Sequence, residues 1–191
     1  MNTHELPMIL FTVLSQMSVG AFVALGVVQI LAVGRYPRSV IDRLADPALL
    51  AIGPTLVLGL IASMFHMNDI ANTFNVFRNI GTSWLSREIV FGVAFAALGF
   101  LFFIMQWRKI ASPGIRQALA ALTALVGLGL VWCQSMIYYS LVTVPAWHHW
   151  ATPLRFFATT ILLGSLAIGV AMAAALARTR TTNPTTTDEP S

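Results

Sequence analysis

The sequence has 191 residues, of which 57% are hydrophobic and 9% are charged, and its mean hydropathy is +0.78. A soluble domain of this size could not bury so much apolar surface, so the composition indicates a protein embedded in lipid. The formal charge of +4 does not indicate a nucleic-acid partner, because the basic residues flank apolar segments. The single cysteine, Cys133, excludes an intrachain disulfide, a cysteine-held iron–sulfur cluster and a cysteine-based zinc site within this chain.

Five apolar segments reach the roughly 20 residues that a helix needs to cross a bilayer. No strand-like alternation competes with them, and in lipid only helices or closed barrels satisfy the backbone. We therefore predict an all-α integral membrane protein, with a bundle of five transmembrane helices within residues 1–178. The predicted helices lie near residues 8–33, 48–67, 88–107, 117–139 and 155–177.

The two ends of the chain are predicted from their composition. Residues 1–7 contain no Lys or Arg, and the apolar run that follows is longer than that of a signal peptide, so we expect the first helix to be retained. Residues 179–191 are rich in Thr and Pro, and we expect them to form a disordered tail.

The distribution of basic residues predicts how the bundle is oriented. Five helices place the termini on opposite sides of the membrane; we call the side of the N-terminus side A and the other side B. Side A carries Arg78, Arg87 and Arg155, whereas side B carries Arg35, Arg38, Arg43, Arg108, Lys109, Arg116, Arg178 and Arg180. Positively charged loops stay in the cytoplasm, so we predict an outer N-terminus and a cytoplasmic C-terminus.

Ionisable side chains at membrane depth are rare, so each is a candidate for function. His66 lies near the end of the second predicted helix, and Glu88 lies at the start of the third. The connection between them crosses no membrane, so both are predicted at the same depth on side A. Ser63, His66 and Asp69 are spaced by three residues and share one helix face if the helix continues that far.

A histidine beside a carboxylate at a membrane interface suits a carrier of two protons and two electrons, such as a quinol. Arg87 and Tyr138 lie at the same end of the bundle and are weaker candidates for the same pocket. The alternative is structural: His66 only ends a helix, Glu88 caps the third helix and Arg87 anchors the interface.

Four further features have simpler interpretations. Trp147 and Trp150 are typical of an aromatic belt at the membrane surface, and the adjacent His148 and His149 lack further metal ligands at helical spacing, so we predict no metal site. Only His66 is on a predicted helix, which argues against a haem held by two histidines.

The small residues Ser165, Gly169, Ala173 and Ala177 repeat every four positions and indicate a helix-packing seam or the docking site of a partner helix.

Three stretches of this sequence resemble the membrane-anchor subunits of anaerobic dimethyl sulfoxide reductases, a family of bacterial molybdenum oxidoreductases. They are residues 4–16; residues 61–88, with Ser-Met-x-His, Phe-Asn and Ser-Trp-Leu-Ser-Arg-Glu; and Val144–Trp147 with Thr152, Pro153, Phe156 and Phe157. Family anchors usually have eight helices, whereas five are predicted here. The family's Leu-Gly after the histidine is Met67-Asn68 in this sequence.

The resemblance implies a subunit of the bacterial inner membrane that oxidises menaquinol. It implies two partners, an iron–sulfur subunit of the ferredoxin type and a molybdopterin catalytic subunit. The family's quinol-site histidine and glutamate fall on His66 and Glu88. The competing interpretation is a structural anchor or assembly protein without a working quinol site. A small transporter is a third class, but the sequence shows no inverted repeat.

Overall fold

The computed structural model of the protein describes residues 6–32, 35–37, 40–41, 45–66 and 78–182, without the side chains of residues 50, 51, 56, 60, 62–66 and 179–182. These residues contain five α-helices and no strand, which confirms the predicted all-helical class. The helices are α1 (Leu6–Ala32), α2 (Ala45–His66), α3 (Trp84–Trp107), α4 (Pro113–Tyr139) and α5 (Ala151–Thr182).

Four of these helices, α1, α3, α4 and α5, are long and apolar enough to cross a membrane. The helix α2 has 22 residues and therefore a length of about 33 Å. Its first turn lies beside the end of α3, where Asp46 pairs with Lys109. Further along, a Cβ built on Gly59 would lie 3.6 Å from Leu14 of α1, so α2 runs antiparallel to α1.

Serine caps determine where α3 and α4 begin. The Ser83 hydroxyl accepts a hydrogen bond from the Ser86 amide, and the Ser112 hydroxyl accepts one from the Ile115 amide. Pro113 then occupies the start of α4, where its missing amide hydrogen is not needed. Because the cap lies before the apolar run, α3 begins at Trp84 rather than at the predicted start, Glu88.

The helix α1 lies at the centre of the bundle, in contact with α2, α4 and α5. Its Phe22 ring packs edge to face against two rings of α3, with centroids 5.7 Å from Phe95 and 5.4 Å from Phe102. Val19 and Leu25 lie in the same fully buried cluster. Aromatic rings and branched aliphatic side chains thus fill the interior of the bundle at mid-depth.

The helices α1 and α5 cross in backbone contact at two glycines. A Cβ on Gly164 would overlap the backbone of Gly20, and a Cβ on Gly20 would overlap the carbonyl of Thr160. Ile168 and Ala171 continue the buried face of α5 beyond this crossing. Only glycine permits this approach, as at other close crossings of membrane helices.

The predicted packing seam on α5 is therefore wrong for contacts within this protein. All four of its residues are exposed: Ser165, Gly169, Ala173 and Ala177. The observed seam begins one position earlier, at Gly164. Two small-residue stripes run side by side on α5, and sequence spacing does not tell which of them faces α1.

A polar network closes side B of the bundle. The Gln106 amide nitrogen donates to the Asp46 carboxylate at 2.7 Å, and the Arg116 Nε donates to the Gln106 amide oxygen at 3.1 Å. Arg116 Nη1 donates to the carbonyl oxygens of Ile110 and Ala111 at 3.1 and 2.6 Å. This side B network ties the start of α2 to the α3–α4 connection.

Candidate quinol site at side A

Glu88 lies one turn inside α3 and is 9% exposed. The first turn of α3 contains no acidic residue, and Ser83 is the residue that caps it. The interpretation of Glu88 as a helix cap is therefore wrong. Its carboxyl group lies among the helices, where an ionisable group costs free energy unless it has a role or a partner.

Gln134 of α4 is the described side chain placed as a hydrogen-bond donor towards the Glu88 carboxyl group. The same side chain is 1% exposed, and its amide nitrogen donates to the Ser15 hydroxyl of α1 at 2.9 Å. The Ser15 hydroxyl in turn donates to the Thr12 carbonyl at 3.0 Å. We call Ser15, Glu88 and Gln134 the side A polar cluster; it joins three helices through one amide group.

Tyr138 lies one turn from Gln134, towards the end of α4. Its hydroxyl hydrogen-bonds to the side chain of Thr12. Its ring lies between Trp147 and Phe156, with centroid distances of 5.3 and 5.5 Å. The tyrosine thus connects α1, α4, α5 and the α4–α5 connection directly beside the side A polar cluster.

Gln16 and Thr159 link α1 to α5 on the same side of the bundle. The Thr159 hydroxyl donates to the Gln16 amide oxygen at 2.7 Å. This contact lies one turn of α1 from the Gly20 crossing, so α1 and α5 are held together through both polar and backbone contacts.

Arg87, a weaker candidate from the sequence, contacts the turn that precedes α3. Its Nε donates to the Ile80 carbonyl at 2.8 Å and its Nη2 donates to the Gly81 carbonyl at 2.7 Å. The guanidinium also lies 4.3 Å from the centre of the Trp84 ring. These contacts fix the start of α3 and thereby the position of Glu88.

His66 is the last residue of α2, at the end of the bundle where α3 begins, and α2 packs against α3. The side chains of Ser63 and His66 lie outside the described residues, as does the whole of Asp69. The pairing of His66 with Glu88 therefore stays a prediction.

The two histidines of the α4–α5 connection have structural contacts. His148 Nδ1 lies 2.6 Å from the carbonyl oxygen of Tyr139, and His149 Nδ1 accepts a hydrogen bond from the Ala151 amide at 3.2 Å. His149 thus satisfies a free amide at the start of α5. No group of three or more potential metal ligands occurs within the described part of the protein.

Sequence reasoning missed Ser15, Gln16 and Gln134 because it considered only ionisable side chains. A usable signal was present: glutamine in an apolar helix has four hydrogen-bonding positions and no water to satisfy them. Gln16 and Gln134 each mark a place where two helices meet through polar groups.

The fold and this cluster together define a multi-pass membrane protein with a buried polar site near one end of its bundle. The family model described as "DMSO reductase anchor subunit (DmsC)" matches residues 1–187. The protein therefore belongs to the DMSO reductase anchor subunit family, which confirms the resemblance found in the sequence.

Curated relatives have the same family name or a related one. The protein is 32% identical to the C chain of the anaerobic dimethyl sulfoxide reductase of Escherichia coli strain K12 over 163 residues, covering 85% of this sequence and 56% of that relative. It is 35% identical to the anaerobic dimethyl sulfoxide reductase chain YnfH of the same organism, covering 94% and 61%. It is 30% identical to the C subunit of the sulfite dehydrogenase of Allochromatium vinosum, covering 82% and 50%.

The sequence therefore spans between 50% and 61% of the length of these three relatives. No solved structure matches it significantly. The arguments for its function accordingly depend on its own residues and on the family.

Proposed function

We propose that this protein is the membrane anchor of a molybdopterin reductase of the dimethyl sulfoxide reductase type and that it oxidises menaquinol. Quinol oxidation releases two protons and two electrons. In the proposal, His66 and Glu88 accept hydrogen bonds, and then protons, from the two hydroxyl groups of the quinol. The electrons pass one at a time to an iron–sulfur subunit. That subunit passes them to the molybdopterin catalytic subunit.

The observation that carries this proposal is the burial of Glu88 without a capping role. Its described hydrogen-bond partner is a neutral amide, so the carboxyl group can gain or lose a proton without breaking an ion pair with that partner. A group of this kind, at the end of a membrane bundle, suits the proton transfer that accompanies quinol oxidation.

The helix α2 is proposed as a fifth membrane span. Its first turn is tied to side B through Asp46, and its length of about 33 Å matches the roughly 30 Å of a bilayer core. The basic residues then predict side B in the cytoplasm and an outer N-terminus, in the bacterial inner membrane. The iron–sulfur subunit is expected near side A, because electron transfer requires short distances.

The direction of electron flow is part of the proposal. Two relatives are named as reductase chains, whereas the third is named as a subunit of a sulfite dehydrogenase. A dehydrogenase would deliver electrons to a quinone rather than take them from a quinol. The family model and the two reductase names favour quinol oxidation for this protein.

The test uses membranes that contain the protein with its own partner subunits. The donors are 2,3-dimethyl-1,4-naphthoquinol, a menaquinol analogue, and reduced benzyl viologen, which bypasses the anchor. The variant His66→Ala is expected to lose quinol-dependent reduction and to keep both viologen-dependent reduction and bound partners. His149→Asn is the matched control, because an amide oxygen can still accept the Ala151 hydrogen bond, and it should retain both activities.

Unchanged quinol oxidation in His66→Ala would contradict the proposed role of His66. Viologen-dependent reduction without any quinol-dependent reduction in the unaltered complex would identify a structural anchor without a working quinol site. Reduction of the naphthoquinone by the reduced partner subunits, without quinol oxidation, would assign the opposite direction of electron flow.

A further inference from the structure

The Gln134 amide has an unusual balance of hydrogen bonds for a side chain that is 1% exposed. Its nitrogen carries two hydrogens: one is donated to the Ser15 hydroxyl, and the amide is also placed as a donor towards the Glu88 carboxyl group. Its oxygen Oε1 is buried and has no partner among the described residues. Buried amide oxygens are nearly always hydrogen-bonded, so this free acceptor requires an explanation.

The neighbouring carboxyl group of Glu88 supplies an explanation for the unpaired amide oxygen. An ionised carboxylate only accepts hydrogen bonds, whereas a protonated carboxyl group has an O–H that needs an acceptor. A site that takes up a proton without access to water must therefore hold a donor for one state and an acceptor for the other. An amide group holds both, and rotation about its terminal torsion, which has a broad twofold profile, exchanges them.

We infer that Gln134 is a positioning residue that hydrogen-bonds to Glu88 both before and after Glu88 takes a proton from the quinol. In the ionised state the Gln134 nitrogen donates to the carboxylate. In the protonated state the amide is rotated, and Oε1 accepts the carboxyl O–H. This inference rests on the proposed quinol oxidation and extends it from His66 and Glu88 to the interior of the bundle.

Ser15 can follow this rotation, while the amide nitrogen takes the buried place in which Oε1 now has no partner among the described residues. Its hydroxyl oxygen now accepts from the Gln134 nitrogen while its hydrogen is donated to the Thr12 carbonyl at 3.0 Å. A hydroxyl is both donor and acceptor and rotates freely. After the amide rotates, the same hydroxyl can donate to Oε1 in place of the Thr12 carbonyl.

The proton transfer itself is balanced. One O–H bond of the quinol breaks and one O–H bond forms at a Glu88 oxygen, while the second proton goes to His66. The two electrons pass to the iron–sulfur cluster of the partner subunit.

Among the described side chains, the other titratable or charged groups near Glu88 are Cys133 and Tyr138 on α4 and Arg87 on its own helix. Arg87 is bound to the Ile80 and Gly81 carbonyls. Gln134 is therefore the neutral side chain that can hydrogen-bond to the Glu88 carboxyl group in both of its protonation states.

The test compares Gln134→Met with Glu88→Gln in the intact complex in lipid vesicles. Methionine has the length of glutamine and no hydrogen-bonding amide, so the packing is retained. With 2,3-dimethyl-1,4-naphthoquinol as donor, Gln134→Met should lower kcat about tenfold and change KM less than about twofold, because the lost contact serves the proton transfer. Ser15→Ala should lower kcat in the same way but less, by about threefold.

A spectroscopic measurement separates positioning from a merely structural role. The redox-induced infrared difference spectrum should contain a carboxylic acid C=O band that disappears in Glu88→Gln. That band should shift in Gln134→Met, because its hydrogen-bond partner has been removed. Gln117→Met is the matched control: it removes another α4 glutamine with a buried, unpartnered amide nitrogen, close to side B, and should change neither kcat nor the band.

The outcomes keep the two proposals apart. Loss of quinol oxidation in Glu88→Gln, with an unshifted band and normal kcat in Gln134→Met, would overturn the role of Gln134 alone. Normal quinol oxidation in Glu88→Gln would overturn the proposed function and this inference together. If Gln134→Met does not assemble, Ser15→Ala decides: an unchanged kcat and band in that variant also overturn the inference.

Discussion

Each end of the bundle contains a polar network with one carboxylate, Asp46 on side B and Glu88 on side A. The two carboxylates differ in the groups that surround them. On side B, Asp46 accepts hydrogen bonds from Lys109 and Gln106, so its negative charge is paired. On side A, the described hydrogen-bond partner of Glu88 is the neutral amide of Gln134. One carboxylate belongs to a network built of opposite charges, and the other belongs to a network built of neutral groups.

This difference indicates what each end can do. The Asp46 carboxylate forms an ion pair with Lys109 and a hydrogen bond with Gln106, and these contacts tie α2 to the α3–α4 connection. For Glu88 to take up a proton, the neutral amide of Gln134 needs only to present its oxygen, an acceptor, in place of its nitrogen, a donor. Both ends contain the same kind of acid, so under the proposed function the difference between the partners assigns a chemical role to side A and a structural role to side B.

The largest contrast is expected from neutralising each acid in turn. Glu88→Gln should lower quinol-dependent turnover about a hundredfold, because a positioned proton acceptor is lost. Asp46→Asn should leave turnover unchanged and lower the free energy of unfolding by less than about 1 kcal/mol, because both partners of its ion pair are 44% exposed. Turnover in vesicles and thermal unfolding in detergent measure the two effects. Equal losses of turnover would remove the distinction between the two ends.

Arg116→Met should break the side B network itself. Arg116 is 4% exposed and donates to Gln106 and to two carbonyls of the α3–α4 connection. Removing it leaves these acceptors without their donor, and we expect the free energy of unfolding to fall by about 2 kcal/mol. The KM for quinol should stay unchanged, since the site lies at the other end of the bundle. A raised KM with normal stability would show that the two ends are coupled.

Tyr138→Phe tests the contacts that Tyr138 makes directly beside the side A polar cluster. The substitution keeps the ring between Trp147 and Phe156 and removes the hydrogen bond to Thr12. A loss of about 1 kcal/mol in the free energy of unfolding is expected. Tyr139→Phe, whose ring stacks on His148, is the matched control and should change stability by less than about 0.5 kcal/mol. A larger loss in the control would contradict this assignment.

An effect of opposite sign, a gain in stability, is expected from Ala111→Gly on side B. Ala111 has a φ of 63°, in the left-handed region where an L side chain is strained. Glycine should therefore stabilise the α3–α4 connection by about 1 kcal/mol. Ala118→Gly, in the interior of α4, is the control of opposite sign and should destabilise by a similar amount. Thermal unfolding of both variants measures the difference, and destabilisation by Ala111→Gly would contradict the strain argument.

The five helices could be predicted from the sequence because apolar length is a local property. The position of Glu88 was predicted less well: hydropathy does not register the Ser83 cap, so Glu88 was expected at the first position of α3 and lies one turn inside it. That one turn converts an exposed capping position into a buried one, and it carries the functional argument.

The contacts between helices could not be predicted from one sequence. The choice between the stripe at Gly164 and the stripe at Ser165 depends on the rotation of α5 against α1, and the hydrogen bond between Gln134 and Ser15 spans 119 residues of sequence. The chemistry of His66 and Glu88 was proposed from depth alone, because residues at adjacent ends of antiparallel helices share a level in the membrane.

The crossing of α1 and α5 also restricts how a lipid-soluble substrate reaches the interior. The backbones touch at Gly20 and Gly164, and the Gln16–Thr159 hydrogen bond joins the same two helices one turn away. A flat naphthalene ring that diffuses laterally in the bilayer cannot pass through this side of the protein. Under the proposed function, the route of the quinol to Glu88 therefore lies between other helices of the bundle.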